Sequence, residues 1–328
     1  MRRLISARPG MTWLVSRARA WVGGLVSGLL VLAAAQASAA EMAAADMPAD
    51  DTLVIGRISD NPKRHYDQLK ALLDYIVPRM ADLGIRQGRV LMARDAQQMA
   101  SYLRRGRVDW VTETPAHGLV LGEATGAKIL VATQRGGMNS YSSVIFVRRD
   151  RGIDNLQDLR GRVIAFQNVN STSSYYAPAA AILEAGLRLD ILPTPNERPR
   201  PSDVGYVFAS SEQNIATWVH KGLVDAGAFS VMDWAGLERL PDQFVRELKI
   251  VHETPSFPRG VEIVRGDLAP ARAERLRSLL LAAGDDPAAH EPLLRFFKTD
   301  RFIEADESFR REMEVLGRAV SMVRRELP

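Results

Sequence analysis

The chain contains no cysteine, which excludes disulfides, thiolate metal sites, thiol catalysis and an amino-terminal lipid on cysteine. Histidine is also scarce, and the five histidines show neither an HExxH motif nor a paired spacing. Neither a Walker loop nor a G-x-S-x-G nucleophile elbow occurs. The sequence therefore predicts no metal site, no cofactor and no catalytic residue, and it indicates a protein that is not an enzyme.

Acidic residues are missing from the first 39 positions. This segment holds five arginines, an apolar run from Trp21 to Ala35 and the ending Ala37-Ser38-Ala39. A basic start, a short apolar run and a small-residue ending are typical of a secretory signal peptide. A retained membrane anchor is the alternative, but the run is short of the roughly 18 to 20 residues that a spanning helix needs. We predict that residues 1–39 are a cleaved signal peptide and that the mature chain is periplasmic.

A strong net charge is missing once the leader is set aside. The chain has 43 Lys and Arg residues and 39 Asp and Glu residues, so removing the five leader arginines leaves 38 basic residues against 39 acidic ones. A nearly neutral chain lacks the electrostatic footprint of a protein that binds nucleic acid or an anionic membrane surface. We predict no nucleic-acid partner, and any preference for anions must be local.

Strand-like and helix-like segments alternate along most of the chain, which is typical of parallel α/β construction. The pattern starts once near residue 52 and again near residue 156. Two α/β halves joined by extended segments predict a ligand cleft between lobes. The carboxyl ends of parallel strands are the favoured rim, and the loops at 57–60, 112–117 and 168–174 are predicted to lie there.

Four consecutive hydroxyl residues, Ser171 to Ser174, stand between the strand-like run 162–166 and a helix-like run that ends near Gly186. Side chains at such a junction lie beside the unpaired backbone N–H groups and the positive dipole end of the helix, which suits an oxyanion. An ordinary helix cap needs only one hydroxyl. Ser171, Thr172 and Ser173 are therefore candidate ligand-binding residues.

Four sequence runs resemble the phosphate, phosphite and phosphonate-binding family of periplasmic solute-binding proteins, which supply ABC transporters. They are GRVD at 106–109, YSSVI at 141–145, NSTS at 170–173 with Pro178, and GLVDA at 222–226. The resemblance runs from about residue 53 to about residue 264. The serine-threonine-serine block with its proline is the most specific of the four.

This resemblance implies a type II periplasmic-binding fold, in which two Rossmann-like α/β lobes close on a ligand by hinge motion. Residues 50–143 plus 253–328 would form lobe 1, and residues 144–252 would form lobe 2. It also implies that the hydroxyl block grips an oxyanion, with Tyr141 as its partner in the cleft. We expect a monomer that captures a small oxyanion or organic anion and presents it to an ABC-transporter permease.

Two carboxylates depart from the family's pattern. Glu212 stands where the family usually has a histidine, and Glu113 falls in a cleft loop where members commonly have aromatic or small polar residues. Each would repel an ionised phosphate by about 1 to 4 kcal/mol at contact distance. Three explanations are open: a hydrogen bond from a protonated oxyanion, a contact with the cationic end of a zwitterion, or neutralisation by an arginine such as Arg57 or Arg135. We include both glutamates among the candidate ligand-binding residues.

Two other functions stay open at this point. A sensory protein that presents the same liganded form to a membrane histidine kinase requires only a closed state with a distinct surface. An exported hydrolase is a lesser alternative, because catalytic groups are recognised by geometry and not by their order in the sequence.

Overall fold

A computed structural model describes residues 50–236 and 242–327, so the predicted leader lies outside the described residues. The strands are β1 (Thr52–Ile58), β2 (Gln87–Ala93), β3 (Trp110–Glu113), β4 (Lys128–Gln134), β5 (Ser140–Tyr141), β6 (Ser143–Arg148), β7 (Val163–Phe166), β8 (Leu189–Ile191), β9 (Val204–Phe208), β10 (Ala226–Ser230), β11 (Leu248–Glu253), β12 (Phe257–Pro258), β13 (Val261–Val264) and β14 (Arg301–Ile303). The helices are α1 (Pro62–Ile76), α2 (Ala96–Arg104), α3 (Pro115–Thr125), α4 (Ala177–Glu184), α5 (Glu212–Lys221), α6 (Val231–Ala235), α7 (Asp242–Glu247), α8 (Pro270–Ala283), α9 (His290–Arg295) and α10 (Glu307–Glu326).

The first six-stranded sheet takes strands from both ends of the described chain. Its order is β14-β4-β13-β3-β1-β2, with β1 parallel to β2 and β3, and β13 antiparallel to β3 and β4. Side chains alternate along β1, so Leu53 and Ile55 enter one core cluster while Val54 and Ile58 enter another. Both faces of β1 are buried because helices cover a parallel sheet on either side.

The second six-stranded sheet has the order β11-β6-β10-β7-β9-β8. Strand β7 is parallel to β9 and β10, whereas β6 is antiparallel to β10 and β11. Residues of β7 also alternate between two cores, Val163 and Ala165 in one, Ile164 and Phe166 in the other. The second sheet therefore repeats the mixed construction of the first.

The chain passes between the two sheets along β5 and β12, which pair antiparallel with each other. The carboxyl-terminal helix α10 packs on this crossing and also contacts α3 and α4. Its buried side chains are Phe309, Met313, Leu316, Val320 and Val323, a stripe at helical spacing. One core cluster extends through this region and includes residues of both sheets. The predicted limits of the two lobes stay a prediction.

The two aspartates of the GRVD and GLVDA runs have the same structural role in the two sheets. Asp109 Oδ2 accepts a hydrogen bond from Val54 N at 2.9 Å, and Asp225 Oδ2 accepts one from Val163 N at 3.0 Å. Both carboxylates are buried, and each also contacts an arginine, Arg265 or Arg162. The aspartates of these runs therefore join neighbouring strands.

Strand β3 ends later than its sequence pattern predicts. The pattern indicates a strand at 108–111 and a loop at 112–117, whereas Thr112 and Glu113 belong to β3 and α3 begins at Pro115. Strand β13, about 150 residues away in the sequence, pairs with the whole of β3 and extends it. Within residues 50–236 and 242–327, no helix has both the length and the apolar character to cross a membrane.

Candidate functional site

The hydroxyl block lies at the start of the helical segment that leads into α4. Ser171 caps a turn of π-helix at Thr172–Tyr176, and its Oγ accepts a hydrogen bond from Ser174 N at 2.9 Å. Ser171 is half-buried, whereas Thr172 and Ser173 are buried. The prediction of a helix start at this position agrees with the observed cap.

The block touches the loop that follows β3. Thr172 Oγ1 accepts a hydrogen bond from Ala116 N at 3.1 Å, and Thr114 Oγ1 donates one to Asn170 O at 3.3 Å. Ser143 Oγ donates to the carbonyl oxygen of Ser173. Loops from the two sheets are thus in direct contact, and one acceptor position of the Thr172 hydroxyl is in use.

Glu113 is buried and has close partners at both carboxylate oxygens. Its Oε1 accepts from Ile58 N at 2.7 Å, and its Oε2 accepts from Thr114 N at 3.1 Å and lies 3.4 Å from His117 Nδ1. Burial alone would raise the pKa of Glu113, but the contact with His117 and the charge of Arg57 outweigh it and hold the pKa below its ordinary value. The carboxylate is therefore ionised, and the positive charge of Arg57 offsets it in part.

Tyr141 lies in the crossing strand β5 and is buried. Its ring packs edge-on against Phe257 of β12, with the centroids 4.7 Å apart. The guanidinium carbon of Arg259 lies 4.5 Å from the centre of the Tyr141 ring. Tyr141 thus connects the crossing strands β5 and β12 to a cationic side chain.

A cavity of about 870 Å³ lies between elements of the two sheets. The first sheet and its following segments contribute Arg135, Arg259 and the stretch 297–300, whereas the second sheet contributes Phe229, Met232 and the stretch 211–213. Glu212, at the start of α5, lines this cavity. The structure therefore places Glu212 and the Tyr141 partner Arg259 at the cavity, and the hydroxyl block with Glu113 at the contact between loops.

Three arginines lie over aromatic rings: Arg57 and Arg135 over Phe297, and Arg259 over Tyr141. The guanidinium carbons of Arg57 and Arg135 lie 4.4 and 5.2 Å from the Phe297 centroid, within the range of cation–π attraction. Burial, followed by the charges of Arg259 and Arg57, lowers the pKa of Arg135 to about 9. Arg135 still carries its proton at neutral pH, and the three cations repel one another. Such a group favours a bound anion.

Glu262 of β13 lies beneath this cluster and is fully buried. It accepts hydrogen bonds from Trp110 Nε1 at 2.6 Å and from Thr112 Oγ1 at 2.8 Å. Burial raises the pKa of Glu262 to about 8, although both hydrogen bonds and the charges of Arg135 and Arg57 oppose the rise. At neutral pH this carboxyl group is mostly protonated and compensates little of the arginine charge.

Residues 55–309 match the family described as ABC transporter, phosphonate, periplasmic substrate-binding protein. The chain belongs to this family. Its members are solute-binding proteins and not enzymes, and membership places the chain in the periplasm with a small-molecule ligand and a permease as partners. The family predicted from the four sequence runs is confirmed.

Individual relatives agree with this assignment. A Xanthomonas citri protein is 46% identical in a structure bound to chloride ion and 45% identical in one bound to ATP, with TM-scores of 0.81 and 0.80; each match covers 85% of this chain and 100% of that chain. The phosphate-import protein of Mycolicibacterium smegmatis is 24% identical over 75% of this chain and 74% of its own length. A methylphosphonate complex from Prochlorococcus marinus, at 19% identity, has a TM-score of 0.61 and covers 83% of this chain and 98% of that chain. The predicted type II periplasmic-binding fold, with two α/β lobes, is confirmed.

Sequence reasoning missed several residues at the cavity. Arg259 follows a two-residue strand that has no pattern of its own, and Phe297 occupies a turn between a helix and a strand. Glu262 did leave a signal, since it is a lone acid within the apolar run Val261–Val264. In the part of the chain that the structure describes, no cluster of three or more metal-ligating side chains is found.

Proposed function

We propose that this chain captures an oxyanion or organic anion of the phosphate, phosphite or phosphonate kind in its cleft and delivers it to an ABC-transporter permease. The observation that carries the proposal is the group of three arginines at the cavity, two of which line it. Guanidinium groups that repel one another in a half-buried site gain stability when an oxyanion binds between them. Relatives described as phosphate-importing or phosphite-binding, and one solved with chloride and with ATP, support an anionic ligand.

In this proposal the six candidate residues have different roles. Ser171, Thr172 and Ser173 provide hydroxyl donors at the contact between loops, and Tyr141 supports Arg259. Glu113 positions His117 and balances the charge of Arg57, while Glu212 faces the ligand from the second sheet. The chain acts without catalysis, as a monomer exported by its leader.

The experiment is a thermal-shift screen of the mature chain against phosphate, phosphite, methylphosphonate, sulfate and carboxylates. A ligand at about 100 times its Kd should add about 2.7 kcal/mol to the free energy of unfolding. Arg259→Gln should weaken binding of the best anion about thirtyfold or more, because a buried charge partner is worth about 2 to 5 kcal/mol. Arg259→Lys should recover part of that affinity.

Arg311→Gln is the matched control, because Arg311 is largely exposed on α10, where it pairs with Glu307. It should leave affinity unchanged. Equal affinity in Arg259→Gln and in the unmodified chain would contradict the proposed role of the arginine cluster. The sensory alternative needs the same liganded form, and copurification of a permease or of a histidine kinase from membranes would separate the two.

A further inference from the structure

The cavity is much larger than a small oxyanion. At about 30 Å³ for each water-sized group, a five-atom oxyanion occupies on the order of 150 Å³. The cavity measures about 870 Å³. Pockets of roughly 300 to 1,000 Å³ hold ligands the size of a drug molecule. A small oxyanion would therefore leave most of this space to water.

Part of the cavity wall is apolar and incompletely covered. Met232, Leu294 and Phe297 line it, and none of the three is fully buried. Leu294 is 62% exposed, which makes it the most exposed of the large apolar side chains in the described residues. Apolar surface of this kind beside a cationic group marks a site for a ligand with an apolar part.

The backbone that presents Phe297 is strained. Among the described residues, three non-glycine residues have positive φ: Phe297 at 54°, Lys298 at 55° and Ser210 at 67°. The first two line the cavity, and Ser210 precedes Ser211, which also lines it. A positive φ is an outlier for a residue as bulky as phenylalanine, and strain of this kind clusters at ligand sites.

The strained turn places the adjacent side chains of Phe296 and Phe297 in different environments. Phe296 is fully buried and packs in the core against Trp110 and Phe302. Phe297 instead reaches the cavity, where Arg57 and Arg135 lie over its ring. The turn thereby places an aromatic surface directly beside the guanidinium groups that would hold an anion.

We propose that the ligand is an organic oxyanion that carries an aromatic or similarly flat apolar body. Its anionic group contacts Arg135 and Arg259, and its body lies against Met232, Leu294 and Phe297. This inference rests on the proposed function, because it assumes that the cavity binds an anion. It adds the chemical class of the ligand and the residues that distinguish it from phosphate or methylphosphonate.

Two matched pairs of probes test the inference by isothermal titration calorimetry on the mature chain. Phenylphosphonate is compared with methylphosphonate, and phenyl phosphate with inorganic phosphate, so that the ring is the main difference within a pair. Burying most of a phenyl ring should contribute about 1.5 to 3 kcal/mol. We expect the Kd of each aryl probe to be lower than that of its partner by a factor of about ten or more.

Variants of the cavity wall test which residues cause the preference for aryl probes. Met232→Ala should reduce the aryl preference severalfold and leave methylphosphonate affinity unchanged. Phe297→Leu should also reduce the aryl preference severalfold. Ile191→Ala, at an exposed apolar residue outside the cavity lining, should change neither affinity. Retention of the full preference in both cavity variants would overturn the assignment to this wall.

The remaining outcomes separate the inference from the proposed function. Equal binding of aryl and small probes would overturn the inference and leave an anion receptor in place. Absence of binding by all four probes would contradict both, because the arginine cluster would then hold neither kind of oxyanion.

Discussion

Two buried carboxyl groups on neighbouring strands differ in charge at neutral pH. Glu113 is ionised because backbone N–H groups, His117 and the charge of Arg57 stabilise its carboxylate. Glu262 is mostly protonated because burial dominates and raises its pKa to about 8. The arginine cluster is therefore only partly balanced by buried acid, and the remaining positive charge is available to a ligand.

Replacing Glu262 by glutamine should change how stability depends on pH. A carboxyl group whose folded pKa is raised from about 4.5 to about 8 holds an extra proton in the folded state between these values. Its contribution to the free energy of unfolding therefore falls as pH rises through this window, by on the order of 3 kcal/mol between pH 4.5 and 7. Glu262→Gln should lose this decline, measured by urea unfolding at several pH values.

At each pH, the difference in free energy of unfolding between Glu262→Gln and the unmodified chain reports on Glu262 alone, because the other titrating groups are present in both. His65, whose pKa is lowered to about 4 chiefly by burial, gives stability that rises with pH between about 4 and 6.5, and it is present in both proteins. Parallel pH profiles for Glu262→Gln and the unmodified chain would show that Glu262 is ionised in the folded state.

The sequence predicted the structural roles of some individual residues but not of others. It selected Glu113 because an acid in a cleft loop is unusual, but it did not find the acceptor role of its carboxylate. The donor Ile58 N is 55 residues away and approaches only when β1 and β3 pair. The helix start at Ser171 was easier to predict, since a helix cap forms from residues adjacent in the chain, whereas the ligand-binding role of Ser171 stays a prediction.

At the scale of elements, the turn after α9 is the least regular part of the cavity wall. Phe297 and Lys298 both adopt left-handed backbone, which L-residues reach at a cost of about 1 to 2 kcal/mol each. Hydrogen bonds from Lys298 N to Leu294 O and from Thr299 N to Leu293 O hold the turn in place. The surrounding packing therefore maintains a conformation that the local sequence does not favour.

Lys298→Gly should stabilise the protein by about 0.5 to 1 kcal/mol, because glycine adopts the left-handed region without a side-chain clash and this gain exceeds its greater entropy loss. Lys298 is exposed, so the loss of its side chain removes little packing. Lys298→Ala is the control, since alanine keeps the unfavourable φ. Chemical denaturation of both variants measures the difference, and equal stability of the two would mean that the turn is unstrained.

Element pairing explains which parts of the fold escaped prediction. The runs that form β1, β7 and β9 are mostly apolar, and the sequence pattern predicted all three as strands. Strands β5 and β12 have two residues each and exist only because they pair with each other. The end of β3 depends on β13 in the same way, so it has no local signal.

At the scale of the whole molecule, two kinds of contact connect the sheets on either side of the cavity. Helix α10 packs on α3, α4 and β12, and Arg324 pairs with Glu123 of α3. The hydroxyl block contacts the start of α3 through Thr172, and the preceding residue Asn170 accepts a hydrogen bond from Thr114. A motion that separates the loop after β3 from the hydroxyl block would break the second contact.

Thr172→Val should shift the ligand-free protein toward an open form. The substitution keeps the shape of the side chain but leaves Ala116 N without its acceptor, at a cost of about 0.5 to 1.5 kcal/mol, which changes the ratio of closed to open forms roughly two- to tenfold. Small-angle X-ray scattering should show a radius of gyration above the value of about 19 Å expected for a compact chain of this length.

Thr217→Val is the matched control for this shift, because the Thr217 hydroxyl donates to Gln213 O of the same helix, α5. It should leave the radius of gyration unchanged. Because hinge closure presents a distinct surface to a partner, Thr172→Val should also need a higher anion concentration to reach the compact radius. A radius that stays compact in ligand-free Thr172→Val would show that the contact between the hydroxyl block and α3 does not hold the cleft closed, and closure would then depend on α10 and the crossing strands.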